Sequence, residues 1–126
     1  MAPRIAATSA LVLGAMLLLL GTLGFVTNPM IGRQGLLLTD SIQDIGHIVL
    51  GLMLVSSGLV GESTAAFGLY ATGAIAMFFG AISLYQLGSF SVGYFGNTGV
   101  EISSAGCWFH LALAVLAPMC NMRKDG

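Results

Sequence analysis

Apolar residues along the chain gather into four stretches separated by three polar breaks. The first stretch runs from about 7 to 25 and holds no charged residue; the others run from about 41 to 60, 65 to 86 and 103 to 122. Each approaches the ~20 residues that cross ~30 Å of hydrocarbon as a helix. Helix is the choice open to a single segment, because lipid offers no partner for free backbone groups. The pattern predicts an all-α integral membrane protein in which the 126 residues form one transmembrane domain, a four-transmembrane-helix bundle. The length of the first stretch, with Arg4 before it, also suits a secretory signal. It is expected to stay on the chain as the first helix.

Small residues recur inside the stretches at seven-residue spacing. The stripe is Ala10, Gly14, Leu17, Gly21 and Gly24 in the first, and Asp44, His47, Gly51, Leu54 and Gly58 in the second. It is Gly73, Ala76, Gly80 and Ser83 in the third, and Ser103, Cys107, His110, Ala114 and Ala117 in the fourth. Such stripes let membrane helices approach closely with left-handed packing, so they are expected to face the bundle interior.

The chain also resembles itself. Aligning "LVLGAMLLLLGTLGF" with "YATGAIAMFFGAISL" sets Gly14 on Gly73 and Gly21 on Gly80, an offset of 59 residues. Aligning "DIGHIVLGL" with "CWFHLALAV" sets His47 on His110, an offset of 63. The unit is a helical hairpin used twice, over 7–60 and 66–122, and both copies enter from the same side as parallel repeats.

Composition agrees with the pattern. The chain is 56% hydrophobic and 7% charged, against roughly 25% charged in a soluble domain. Mean hydropathy is +0.94. A net charge of −1 gives no basic face for nucleic acid. Two cysteines in such a composition make no disulfide framework. Arg4, Arg123 and Lys124 flank the ends while Arg33 stands alone in a loop, which by the positive-inside rule puts both termini in the cytoplasm of a bacterial inner membrane. The connection "GESTA" from Gly61 to Ala65 is then cytoplasmic, and Tyr94, Phe95 and Trp108 lie near the outer interface.

The two histidines are the chemical puzzle. Counting back from Val60 at ~1.5 Å per residue sets His47 roughly 10 Å inside the outer end of its helix, and His110 at a similar depth. Gly21 and Gly80 come out near the same level. Histidines on two helices with glycines opposite resemble the core of b-type cytochromes, where imidazoles ligate haem b and glycines admit the macrocycle; a single histidine can likewise ligate bacteriochlorophyll. A second set uses the residues at i−3, which share a helix face with each histidine. Asp44, His47, Cys107 and His110 together supply four metal ligands. The bland alternative is that the histidines hydrogen-bond within the bundle, Asp44 is a first-turn acid favoured by the helix dipole and Cys107 is a packing residue.

"SIQDIGHIVLGL" and "SAGCWFHLALAV" both resemble the "DN-x-L-H-L-x-L-G" segment that opens a helix in a family of small bacterial four-helix membrane proteins, a domain of unknown function. The likeness covers the hairpin repeat. That family's histidines fall on His47 and His110; its usual asparagine three residues earlier is replaced by Asp44 and Cys107. The resemblance implies the fold and carries no activity.

Pro118, in the last turn of the fourth helix, is expected only to kink its end. No nucleophile–base pair or phosphate loop is legible, and intramembrane charge is confined to Asp44 and the histidines, unlike the usual transporter or channel. The expectation is a non-catalytic accessory subunit, in contact with the lipid bilayer and other transmembrane subunits of a respiratory or photosynthetic complex. The alternative is a haem- or bacteriochlorophyll-binding protein using His47 and His110.

Overall fold

The computed structural model describes residues 4–32, 39, 41–88 and 104–120, of which 86–88, 104 and 105 are described by their backbone. Four helices make up the described chain: α1 (Ile5–Gly24), α2 (Ser41–Val60), α3 (Glu62–Gly88) and α4 (Ser104–Met119). Arg33, Tyr94, Phe95, Asn97, Ser103, Arg123 and Lys124 lie outside the described residues.

The first three helices are long and apolar enough to cross a membrane. The fourth, at 16 residues, is a shorter apolar helix. Its rise of about 24 Å falls short of the ~30 Å hydrocarbon core.

The helices form a bundle in which α1 lies mainly on α2 and α3 mainly on α4, with lesser contact of α3 on α1 and α2. The seven-residue stripes face inward. Ala10, Gly14, Leu17 and Gly21 are buried on α1, and Asp44, His47, Gly51, Leu54 and Gly58 on α2. Gly73, Ala76, Gly80 and Ser83 are buried on α3, as are Cys107, Ala114 and Ala117 on α4, where His110 is half-buried. Leu17, Leu54 and Leu69 fill the space the small residues leave. The outer surface is large and apolar on every helix, from Val12 and Met16 through Val49 and Leu52 to Phe67, Phe78, Val115 and Leu116. A soluble monomer rarely exposes so continuous an apolar surface; a bilayer requires it.

The glycines set how close the helices come. A methyl built on Gly14 would meet the Gly51 carbonyl oxygen and Val55, and one on Gly21 would meet the Asp44 carbonyl oxygen and Ile48. On the other pair, a methyl on Gly73 would meet Ala114 and Pro118, and one on Gly80 would meet Leu111. The sequence numbers rise along one helix of each pair as they fall along the other, so both pairs are antiparallel.

The α2–α3 connection differs from its expected extent. "GESTA" is not a loop: Glu62 already opens α3, and Gly61 alone turns the chain. Its φ of +154° lies in the region that favours glycine. This tight turn gives Glu62 a task that spacing did not show. Its carboxylate accepts hydrogen bonds from the backbone N–H groups of Ala6 (2.8 Å) and Ala7 (2.9 Å). The N-cap residue of α1, Arg4, provides no side-chain cap. Glu62 therefore satisfies two of the donors that a helix start leaves open, and its charge suits the positive end of the helix dipole.

Candidate functional site: a histidine pair between three helices

His47 and His110 meet. Their ring centroids lie 5.9 Å apart with planes inclined at 26°, so the depth match expected from counting residues is present as contact. Phe109 stands edge-on to both, 5.8 Å from His47 and 5.7 Å from His110. Phe79 reaches His110 from α3 at 6.0 Å. Neither phenylalanine was singled out from the sequence; Phe109, one residue before His110 in an apolar stretch, carried no signal beyond adjacency.

The two imidazoles differ in their bonding. His110 Nδ1 lies 2.7 Å from the Gly106 carbonyl oxygen one turn earlier. A carbonyl only accepts, so Nδ1 carries the hydrogen and Nε2 keeps a lone pair. His47 is 5% exposed, and among the described residues neither of its ring nitrogens has a hydrogen-bond partner. Beside the pair is a cavity of about 100 Å³, lined from α2 by Ile42, Gly46 and Leu50, from α3 by Ile75 and Phe79, and from α4 by Leu113.

The four expected metal ligands do not converge. Among the described residues, no group of three or more His, Cys, Asp or Glu side chains is placed to hold a metal ion. The i−3 spacing does set Asp44 beside His47 and Cys107 beside His110 on each stripe, but each stripe faces two neighbours. The Asp44 carboxylate turns to α1, into the space left by the absent side chain of Gly24. The Cys107 thiol turns to α3 and points at the Gly80 carbonyl oxygen, 3.7 Å away. Only the histidines turn toward each other.

Haem does not fit this arrangement either. Gly21 and Gly80 do lie at the histidine level, but the space beside them is taken by Ile48 and Leu111 of the adjacent helices. They are glycines of close helix approach, not of a macrocycle slot. The cavity of about 100 Å³ is well under the ~300 Å³ at which pockets for cofactor-sized ligands begin. Bacteriochlorophyll, with a macrocycle of the same width, meets the same limit.

Comparison with protein-family models, with curated proteins and with solved structures returned no match. The chemistry of the site rests on its own geometry: two imidazoles, one with a fixed tautomer and one without a partner, beside an apolar cavity among membrane-type helices.

Proposed function

We propose that the chain is a non-catalytic integral membrane protein of the bacterial inner membrane, with both termini cytoplasmic, that serves as an accessory subunit beside other transmembrane helices. In this reading the bundle is two parallel hairpin repeats and α4 also spans. Support for the repeat comes from the glycine contacts. Gly14 and Gly73 are aligned, and their neighbours Gly51 and Ala114, and Val55 and Pro118, differ by the same 63 residues as His47 and His110. Ile48 and Leu111, beside Gly21 and Gly80, do so too.

The observation that carries the accessory role is a second stripe on α3. Phe67, Tyr70, Ala74, Met77, Ala81 and Leu84 follow the same three-and-four spacing as the inner stripes, yet all are exposed. Alanines between aromatic and flexible side chains form a surface on which another helix can seat closely. The inner glycine stripes are already occupied within the bundle, so a partner has to meet an outer face, and this one combines alanines with aromatic side chains. The chain should migrate with a larger complex after solubilisation in a mild detergent. Joint Ala74→Leu and Ala81→Leu substitution should release it without lowering its own melting temperature, since both side chains point outward. A chain that migrates alone from the native membrane would count against the role. For orientation, a cysteine at Asn97 should be labelled from outside intact cells and one at Ser63 should not; the reverse pattern would invert the topology.

A further inference from the structure

The cavity beside the histidines is shaped for hydrocarbon. Its surface is almost wholly carbon, and the ring nitrogens of His47 are closed off from it. Two more polar side chains on its wall are turned back into their own helices. His110 Nδ1–H donates to the Gly106 carbonyl oxygen, and the Ser83 hydroxyl donates to the Phe79 carbonyl oxygen at 2.6 Å.

The space is a slot along the helix axes. Its α2 wall runs from Ile42 to Leu50 and its α3 wall from Ile75 to Ser83, a rise of about 12 Å on each. Its volume of about 100 Å³ is below the ~150 Å³ of a cavity that holds benzene. A long space too small for a ring fits an unbranched chain. The wall residues Ile42, Ile75 and Phe79 are also exposed, so the slot is continuous with the apolar outer surface that Ile45, Val49 and Phe78 extend. Where the helices span, that surface meets acyl chains, which run along the same axis as the slot.

Gly46 is an independent sign of an occupant. Glycine weakens a helix interior relative to alanine. Gly14, Gly21, Gly51, Gly58, Gly73 and Gly80 each let a neighbouring helix approach, because an added methyl would meet it at 2.9 Å or less. Gly46 does not: a methyl there would meet nothing within 4 Å, although Gly46 lies on the slot wall. Among the described residues, none uses the space this glycine leaves. An empty cavity destabilises in proportion to its volume, so a chain that fills the slot is held there.

We propose that the slot between α2, α3 and α4 holds one acyl chain of a phospholipid from the leaflet in which α2 begins, an unbranched chain in preference to a methyl-branched one, with Gly46 providing its width. The proposal rests on the membrane-spanning reading of the helices. No wall residue belongs to the outer face of α3 assigned to a partner helix, so lipid and partner can be bound together.

The test places the full chain in nanodiscs of dimyristoyl phosphatidylcholine containing a trace of phosphatidylcholine whose straight tail carries a mid-chain diazirine. After illumination, labelled residues are mapped by peptide mass spectrometry. Leu113, a slot residue only 6% exposed, should be labelled along with Val49, Leu52 and Phe78 of the outer surface. Diphytanoyl phosphatidylcholine as the matrix lipid offers methyl-branched tails that compete poorly for the slot. Labelling of Leu113 relative to Leu52 should then rise about tenfold, the order expected if roughly half of the space stays empty around a misfitting tail. Gly46→Leu puts a side chain where no atom blocks it, and should remove most of the Leu113 labelling while leaving Leu52 unchanged. Labelling confined to Val49, Leu52 and Phe78 in the unaltered chain overturns the proposal and needs no variant to fold. So does Leu113 labelling that is equal in the two matrices, or that survives Gly46→Leu. Carbonate-washed membranes are scored first. A chain washed off sinks the spanning reading along with the proposal, whereas a retained chain with unlabelled Leu113 sinks the acyl chain alone.

Discussion

A methyl group built on Gly14 would lie 2.8 Å from the Val55 side chain, with the Gly51 carbonyl oxygen and the Val55 backbone nitrogen both at 2.9 Å. Built on the aligned Gly73, it would lie 3.3 Å from the Ala114 carbonyl oxygen, with the Pro118 ring as its nearest neighbour at 2.8 Å. The same shift appears one level higher. Gly21 would meet backbone at 2.5 Å, whereas Gly80 would meet the Leu111 side chain at 2.8 Å and backbone only at 3.3 Å. The α1–α2 glycines thus meet backbone as closely as they meet the side chains of Val55 and Ile48, whereas the α3–α4 glycines meet side chains first and backbone only at 3.3 Å. One residue choice accounts for much of this. Gly51 gives α1 no side chain to clear, while Ala114 at the aligned position does. Similar sequence patterns therefore produce two interfaces of different tolerance.

The strongest way to break the comparison is Gly51→Leu. A side chain at Gly51 would start 2.8 Å from the Gly14 carbonyl oxygen and 2.8 Å from the Leu18 backbone nitrogen, neither of which can rotate away. Overpacking of this kind costs ~3 kcal/mol, the upper end of its usual range. The melting temperature in detergent should fall sharply, and an unchanged melt would remove the close approach of α1 and α2 from the account. Gly80→Leu should also destabilise, but by less, because Leu111 can move. Alanine sharpens the contrast: Gly21→Ala should cost ~2 kcal/mol and Gly80→Ala ~1 kcal/mol. Equal losses in chemical denaturation would show that the two interfaces yield alike.

A smaller effect concerns what joins the pairs. Glu62 on α3 caps α1, so Glu62→Ala should leave the Ala6 and Ala7 N–H groups without their carboxylate at a cost of ~1 kcal/mol. Glu62→Gln, which keeps acceptor capacity but not charge, should recover part of that. Hydrogen exchange at Ala6 and Ala7 reports this cap directly; exchange unchanged by Glu62→Ala would mean that water already satisfies these groups.

What the sequence shows is the part governed by period. Seven-residue recurrence of small residues gave the buried face of each helix, and a count of residue rises gave the common depth of the histidines. Period says nothing about which of two neighbours a side chain turns toward. Asp44 and His47 share a stripe, yet one faces Gly24 on α1 and the other faces His110 on α4. A glycine near a histidine reads the same whether it opens a slot for a cofactor or seats a neighbouring helix. Only the positions of Ile48 and Leu111 distinguish the two. Glu62 was hidden for another reason: a one-residue turn makes a loop acid and a first-turn acid look identical in sequence, and its partners lie 55 and 56 residues away.

The smallest predicted effect separates the two histidines themselves. The residues are aligned across the halves, so an interchangeable pair should respond equally to substitution. Their bonding argues otherwise. Replacing His47 with phenylalanine removes two buried nitrogens that have no partner among the described residues, and exchanging such groups for an apolar ring is neutral or mildly stabilising. Replacing His110 removes a donor to the Gly106 carbonyl. That loss should cost about 0.6 kcal/mol, the average for polar contacts in membrane bundles. The difference reads out in detergent as a lower denaturation midpoint for His110→Phe and an unchanged or higher one for His47→Phe. Equal destabilisation by both substitutions would mean that the two imidazoles are equivalent packing residues and that their different bonding has no energetic consequence.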